Sequence, residues 1–135
     1  LEIAHAFARN PVKPRRSVAF IAHAAEEKGL LGSDFASKNL PFELKDVQAL
    51  LNIDMIGRID PKREGDRNYI YLIGSDKLST ELHELSEEIN AKYTRIELDY
   101  SYNDENDPNR FYYRSDHYNF AKNNIPIIFY FNSTH

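Results

Sequence analysis

The stretch AHAAEEKGLLGSDF, residues 22–35, places two adjacent glutamates between an apolar run and a glycine-containing helical pattern. The run that leads into it, residues 15–24, predicts a strand buried on both faces. Because side chains alternate between the two faces of a strand, Glu26 and Glu27 could not point the same way if the strand continued. The chain is therefore expected to leave the strand at this pair and to enter a helix over residues 29–40, where apolar residues recur at helical spacing.

The alternation of strand and helix continues along the rest of the chain. Short apolar runs predict further strands, and apolar residues three and four positions apart predict helices. The predicted strands are residues 47–55, 69–75, 94–102 and 125–131, and the predicted helices are residues 1–10, 76–93 and 115–124. Asn123 or Asn124 could supply the left-handed residue that ends the last helix. This order predicts one α/β domain with three layers, α/β/α, around a mostly parallel mixed sheet.

Length, charge and composition exclude several classes of function. A chain of 135 residues suits a single domain. Its formal net charge of −4 argues against a nucleic-acid-binding protein, since such domains are usually basic. The absence of cysteine excludes disulfides, thiolate metal ligands and cysteine nucleophiles, and the absence of G-x-S-x-G disfavours a serine hydrolase. No apolar run approaches the roughly 18–20 residues of a membrane-spanning helix.

Acidic residues end two of the predicted buried strands. Glu26 and Glu27 follow the first strand, and Asp54 closes the second. In open α/β sheets, ligands bind outside the carboxyl ends of the strands, and converging carboxylates are costly unless a cation meets them. The pattern predicts a divalent metal held by one glutamate, with the other as the general base for a metal-bound water. The alternative is a solvated pair of glutamates that opens a helix, where the helix dipole favours acid.

Three motifs resemble, in order and spacing, the zinc aminopeptidases of peptidase family M28. They are FIAHAAEEKGLLGS (residues 20–33), LLNIDMIGR (residues 50–58) and YYRSDHYNFAKNNIPIIFYF (residues 112–131), and the resemblance runs through nearly the whole chain. It implies a phosphorylase/hydrolase-like zinc-peptidase fold, two zinc ions and a peptide substrate cleaved at its N-terminal bond. It also implies an exported protein, because relatives are often periplasmic, on the cell surface or secreted.

The resemblance also implies roles for individual residues. Glu26 matches the general base, Glu27 matches a ligand of one zinc, and Asp54 matches a ligand of the other. The segment RSDH, residues 114–117, matches one that lines the substrate side of the pocket. The substrate-binding candidates in it are Arg114, Asp116 and His117.

The chain carries only two of the five protein ligands that such enzymes use. The first histidine and the bridging aspartate are expected before Leu1, and the last histidine is expected just after His135. The opening stretch LEIAHAFARN also reads as the middle of a helix without a capping residue. These features predict that residues 1–135 are a central fragment of the catalytic domain. Since catalytic zinc usually has about three protein ligands, the fragment alone is expected to be inactive.

Two other readings of the chain stay open. One is a catalytically silent domain of the same fold that binds rather than cleaves. The other is an α/β domain with a structural calcium site in the loop ELDYSYNDENDPNR, residues 97–110, although this loop lacks the glycine and final glutamate of the common calcium loop. We favour a solvated acidic loop over the calcium site. Of the remaining histidines, His23 is expected in the core or at its edge, and His5 and His83 are expected on the surface. The sequence does not predict an oligomeric state.

Overall fold

The computed structural model describes residues 1–133 and contains a four-stranded sheet with helices around it. The strands are β1 (Leu50–Ile53), β2 (Tyr69–Ile73), β3 (Glu97–Asp99) and β4 (Ile127–Phe131). The α-helices are α1 (Glu2–Arg9), α2 (Leu31–Lys38), α3 (Thr80–Ile89) and α4 (Tyr118–Ala121). The α/β class and the mostly parallel, mixed character of the sheet were both predicted from the sequence.

The sheet has the order β1-β4-β2-β3. β1 runs parallel to β4, with Asn52 opposite Phe129, and β2 runs parallel to β3. β4 and β2 are antiparallel. The carboxyl ends of β1 and β4 therefore lie at one edge of the sheet, and the carboxyl end of β2 lies at the opposite edge.

The core is built mainly from aromatic side chains of the two central strands. Tyr69, Tyr71, Phe129 and Phe131 are almost fully buried and pack with Phe111 from the loop before α4. This packing places the loop after β3 directly on the sheet. The near-continuous burial of β2 and β4 fits their apolar sequences, as expected for strands that are covered on both faces.

Local sequence signals explain where two of the helices begin and end. α3 begins later than predicted because the Ser79 hydroxyl accepts a hydrogen bond from the Leu82 N–H, which caps the first turn. After α3, a single π-helical segment (Asn90–Thr94) leads to Arg95 in the left-handed conformation. The short α4 ends before Asn124, whose φ of 63° confirms the predicted left-handed position. None of the helices in residues 1–133 has the length and apolar character needed to cross a membrane.

The prediction of a strand at residues 15–24 is wrong for this structure. The segment belongs to none of the four strands, and Val18, Phe20 and Ile21 keep about half of their surface exposed. A strand needs a neighbour for its backbone groups, and β1 pairs within the described part of the chain only with β4. The apolar sequence is therefore present without the ladder that would make it a strand.

Candidate functional site

The first part of the site is a tight turn that carries the glutamate pair. Glu26 and Glu27 begin a 3₁₀ turn (Glu26–Lys28), and the preceding Ala25 has a left-handed backbone with φ of 57°. The predicted turn at this pair is thus present, although residues 15–24 before it do not form a strand. The turn is tied to α2, since the Gly32 N–H donates to the Ala24 carbonyl at 3.0 Å.

Gly32 allows the close approach between this turn and α2. A Cβ atom at position 32 would lie 2.2 Å from the Ala24 carbonyl oxygen and 2.7 Å from its nitrogen. Both are backbone atoms, which cannot move aside as a flexible side chain would. The second glycine of GLLG, Gly32, is therefore required by the packing of α2 against the turn that carries the glutamate pair.

Asp54 lies at the edge where β1 and β4 end. It follows β1 directly, and its N–H donates to the Tyr130 carbonyl at 3.3 Å. One of its carboxylate oxygens, Oδ2, accepts a hydrogen bond of 2.7 Å from the Ser115 hydroxyl. Asp54 is half-buried, so this bond holds a carboxylate at the boundary between the core and the solvent.

The surroundings of Glu26 raise the pKa of its carboxyl group. Partial burial raises the pKa of its carboxyl, and the carboxylates of Glu27, Asp54 and Asp116 raise it further. The Arg114 guanidinium acts in the opposite direction and lowers the pKa of Glu26. The charges of Glu27, Asp54, Arg114 and Asp116 therefore all act on the Glu26 carboxyl.

The two charged members of the RSDH segment differ in their surroundings. Arg114 is exposed, lies over the Phe111 ring and donates to the Asn109 carbonyl at 3.4 Å. Asp116 is half-buried, and within residues 1–133 its Oδ1 atom is buried without a hydrogen-bond partner. Arg114 is thus accessible from solvent, whereas one oxygen of Asp116 is enclosed in an acidic environment.

His117 lies in the interior. It is fully buried, and its ring stacks on Phe129 with 4.6 Å between the ring centres. Burial lowers the pKa of His117 to about 4, so the ring is neutral near pH 7. Its Nε2 lies 2.7 Å from the Tyr112 carbonyl oxygen, and its Nδ1 lies 3.3 Å from Nδ2 of Asn52. Both ring nitrogens thus have protein groups as neighbours in this structure. The predicted contact of His117 with a substrate stays a prediction.

Two residues of the site, Asn52 and Ser115, were not predicted from the sequence. Asn52 lies in the middle of β1, and its Nδ2 donates to the Ser115 hydroxyl at 2.9 Å. The available signal was an amide side chain inside the apolar run LLNI, since a polar group in a buried strand needs a specific partner. The partner, 63 residues further along the chain, could not be found without the fold.

The other histidines and the acidic loop lie outside this site. His23 is half-buried beside Phe120 and His5 is exposed, as predicted. His83 was predicted on the surface, but it is half-buried, and its Nδ1 lies 3.0 Å from the buried Ser75 hydroxyl. In the loop, the carboxylates of Asp104 and Asp107 accept hydrogen bonds from backbone N–H groups two residues ahead. Such local turns account for these acids without a calcium ion.

Carboxylates such as Glu27 and Asp54 are suitable zinc donors. In residues 1–133, however, no group of three or more His, Asp or Glu side chains is arranged to hold a metal ion. Since catalytic zinc usually takes about three protein ligands, these residues do not fit a complete zinc centre by themselves. His135, expected beside the last ligand, lies outside the described residues.

One comparison with known proteins bears on this arrangement. The family model described as "Peptidase family M28" matches residues 1–135, which is the whole chain.

Proposed function

The chain belongs to peptidase family M28, a family of hydrolases, and from that premise we propose that it forms part of a metal-dependent exopeptidase that hydrolyses N-terminal peptide bonds. In this proposal Glu26 is the general base, and Glu27 and Asp54 are metal ligands. The observation that supports it best is the raised pKa of the Glu26 carboxyl, which results from its partial burial and from the negative charges of Glu27, Asp54 and Asp116.

The raised pKa suits Glu26 for moving a proton. A general base works best when its pKa lies near the working pH, and an ordinary glutamate is too weak a base for this purpose near neutrality. Burial and acidic neighbours shift Glu26 in the required direction. In the proposed reaction the Glu26 carboxylate accepts a proton from the attacking water and delivers it to the departing amine. A bound metal ion would activate that water and polarise the scissile carbonyl.

The surrounding acids also set the kind of cation that the site should accept. Three carboxylates and one guanidinium around Glu26 leave an excess of negative charge, which favours divalent metal ions and the ammonium group of a peptide N-terminus. Arg114, which is exposed next to this group, is suited to a developing negative charge or a substrate carbonyl. We assign Arg114, Asp116 and His117 to the substrate side of the pocket on the basis of the family resemblance.

The complete enzyme is proposed to hold two zinc ions in a three-layer α/β/α domain. Residues 1–135 would be its central part, the remaining ligands would come from outside this chain, and the chain alone would be inactive. Glu27 and Asp54 would supply two of the ligands, whereas catalytic zinc usually takes about three protein ligands. An exported location is proposed from the family resemblance alone.

The test compares this chain with a version extended at both ends to include the missing ligands. Zinc binding is measured by calorimetry, and turnover is measured with an aminoacyl-nitroanilide. We expect two zinc ions and turnover only in the extended version, and loss of turnover with retention of zinc in its Glu26→Gln variant. Glu88→Gln is the matched control, because Glu88 is an exposed glutamate on α3. An extended version that binds no zinc and shows no turnover would refute the proposal.

A catalytically silent binding domain is the second candidate. It predicts peptide binding without turnover even in the extended version. The presence of Glu26, Glu27 and Asp54 together argues against it, since a site without catalysis need not keep all three. In the acidic loop, Asp104 and Asp107 each accept a backbone N–H in a local turn, which is the arrangement expected of a solvated acidic loop.

A further inference from the structure

We propose that Asn52 and His117 are positioning residues, which direct the hydroxyl hydrogen of Ser115 onto Oδ2 of Asp54. The three side chains and Asp54 form one chain of hydrogen bonds that crosses from the core to the candidate site. We refer to Asn52, Ser115 and His117 as the relay. The inference rests on the proposed function in so far as Asp54 is a metal ligand.

His117, at the buried end of the relay, determines which atoms of the relay donate and which accept. The Tyr112 carbonyl oxygen, 2.7 Å from Nε2 of His117, can only accept a hydrogen bond. The Nε2 atom must therefore carry the ring proton. In a neutral ring this leaves Nδ1 without a hydrogen and makes it an acceptor. Stacking on Phe129 fixes the plane of the ring, so the acceptor points in one direction.

The acceptor at Nδ1 determines the orientation of the Asn52 amide. The Nδ2 group carries two hydrogens, and it lies 3.3 Å from His117 Nδ1 and 2.9 Å from the Ser115 hydroxyl oxygen. Both hydrogens are therefore used. In the flipped amide, Oδ1 of Asn52 would face the Nδ1 lone pair, where no hydrogen is available.

The orientation of Asn52 leaves Ser115 a single choice of partner. A serine hydroxyl has one hydrogen, and its oxygen already accepts from Asn52. The hydrogen must go to the other neighbour, the Asp54 carboxylate, at 2.7 Å. Ser115 and His117 are both almost fully buried, whereas Asn52 and Asp54 are half-buried. The relay thus fixes Oδ2 of Asp54.

The first measurement determines the direction of the relay without any metal or activity. We expect the ¹⁵N NMR signals of His117 to show a neutral ring protonated at Nε2 near pH 7. We expect Asn52→Leu, which removes the donor to Nδ1, to shift the Nδ1 signal. A ring protonated at Nδ1, or at both nitrogens, would reverse the Asn52 amide and overturn the proposal.

The second measurement tests the effect on Asp54 through zinc affinity in the extended version. Changes in groups that orient metal ligands typically cost about 10–100-fold in affinity. We expect Ser115→Ala and Asn52→Leu each to lower zinc affinity in this range. In the Ser115→Ala background, Asn52→Leu should cause almost no further loss, because Asn52 acts through Ser115. His117→Phe, which retains a stacking ring, should behave like Asn52→Leu where it folds.

A matched control separates the relay from general loss of a buried contact. His83→Phe removes a histidine–serine contact of similar length, but Ser75 follows β2, whose carboxyl end lies at the sheet edge opposite to Asp54. It should leave zinc affinity unchanged. Asn52→Leu could instead lower zinc affinity by the same factor in the wild-type background and in the Ser115→Ala background. That result would indicate a purely structural role and would overturn the proposal. If the extended wild type binds no zinc, the proposed function fails, and the NMR result alone then determines the direction of the relay.

Discussion

The Ser115 hydroxyl donates a 2.7 Å hydrogen bond to Oδ2 of Asp54, and it thereby connects the RSDH segment to the carboxyl end of β1. The two residues are 61 positions apart in the chain. The bond combines a buried hydroxyl with a half-buried carboxylate, so it affects both the stability of the fold and the geometry of the candidate site.

Ser115→Ala is expected to lower the free energy of unfolding by about 1–3 kcal/mol, because it removes the partner of one Asn52 amide hydrogen and of Oδ2 of Asp54. Urea denaturation at neutral pH measures this change. Ser101→Ala is the control, since Ser101 also donates to an aspartate but lies exposed in a turn. The control should stay within about 0.5 kcal/mol of the wild type. Equal changes for the two variants would show that burial of the Ser115 bond adds nothing.

Gly32→Ala is expected to destabilise the protein, although helix propensity alone predicts a gain of about 1 kcal/mol from this change inside a helix. The added Cβ would lie 2.2 Å from the Ala24 carbonyl oxygen, so α2 or the glutamate turn must shift. Such overpacking typically costs about 1–3 kcal/mol. Thermal unfolding measures the loss, and Lys38→Ala, an exposed change in the same helix, is the control. A Gly32→Ala variant as stable as the wild type would show that α2 is not held against the turn.

His117 is expected to make the fold less stable as the pH is lowered. Burial lowers its pKa from 6.5 to about 4, so between these values the unfolded chain binds a proton that the folded chain does not. The free energy of unfolding therefore falls as the pH drops from about 6.5 to 4, by up to about 3 kcal/mol for this group. Below about pH 4 both states are protonated and the contribution stops changing.

Urea denaturation between pH 7 and pH 4 tests this pH dependence of stability. His117→Phe should reduce the slope of the free energy of unfolding against pH, whereas His5→Phe, at an exposed position, should leave the slope as it is. If His117→Phe does not fold, an NMR titration of His117 in the wild type gives the same answer. A midpoint at the ordinary value of 6.5 would contradict the prediction.

The sequence was sufficient for the features that depend on local pattern. The strands and helices from residue 47 onward and the left-handed Asn124 follow from apolar spacing and turn chemistry. Glu27 and Asp54 both act on the pKa of Glu26, although Glu26 and Glu27 follow no strand in this structure and are carried by a 3₁₀ turn instead. The relay could not be predicted in this way, because Asn52 and Ser115 come together only through the pairing of β1 with β4 and the packing of the loop before α4. The unpaired segment 15–24 was mispredicted because an apolar pattern records a preference for burial and not the presence of a partner strand.

The same segment yields a final prediction about the extended version of the protein. In the structure, Val18, Phe20 and Ile21 are about half exposed, and so are Leu51 and Ile53 of β1. Exposed apolar side chains on a strand-like segment and on an edge strand indicate surfaces that a larger domain would cover. We therefore expect residues 15–24 to form a paired strand when the chain is extended.

Amide hydrogen exchange measures whether this strand forms, since amides in a ladder are protected from exchange. Phe20 and Ile21 should exchange quickly in the present chain and slowly in the extended version, while amides of β4, which is paired on both sides here, should be slow in both. Fast exchange at Phe20 and Ile21 in both versions would mean that the segment does not form a strand and that Glu26 and Glu27 are held by the turn and α2 alone.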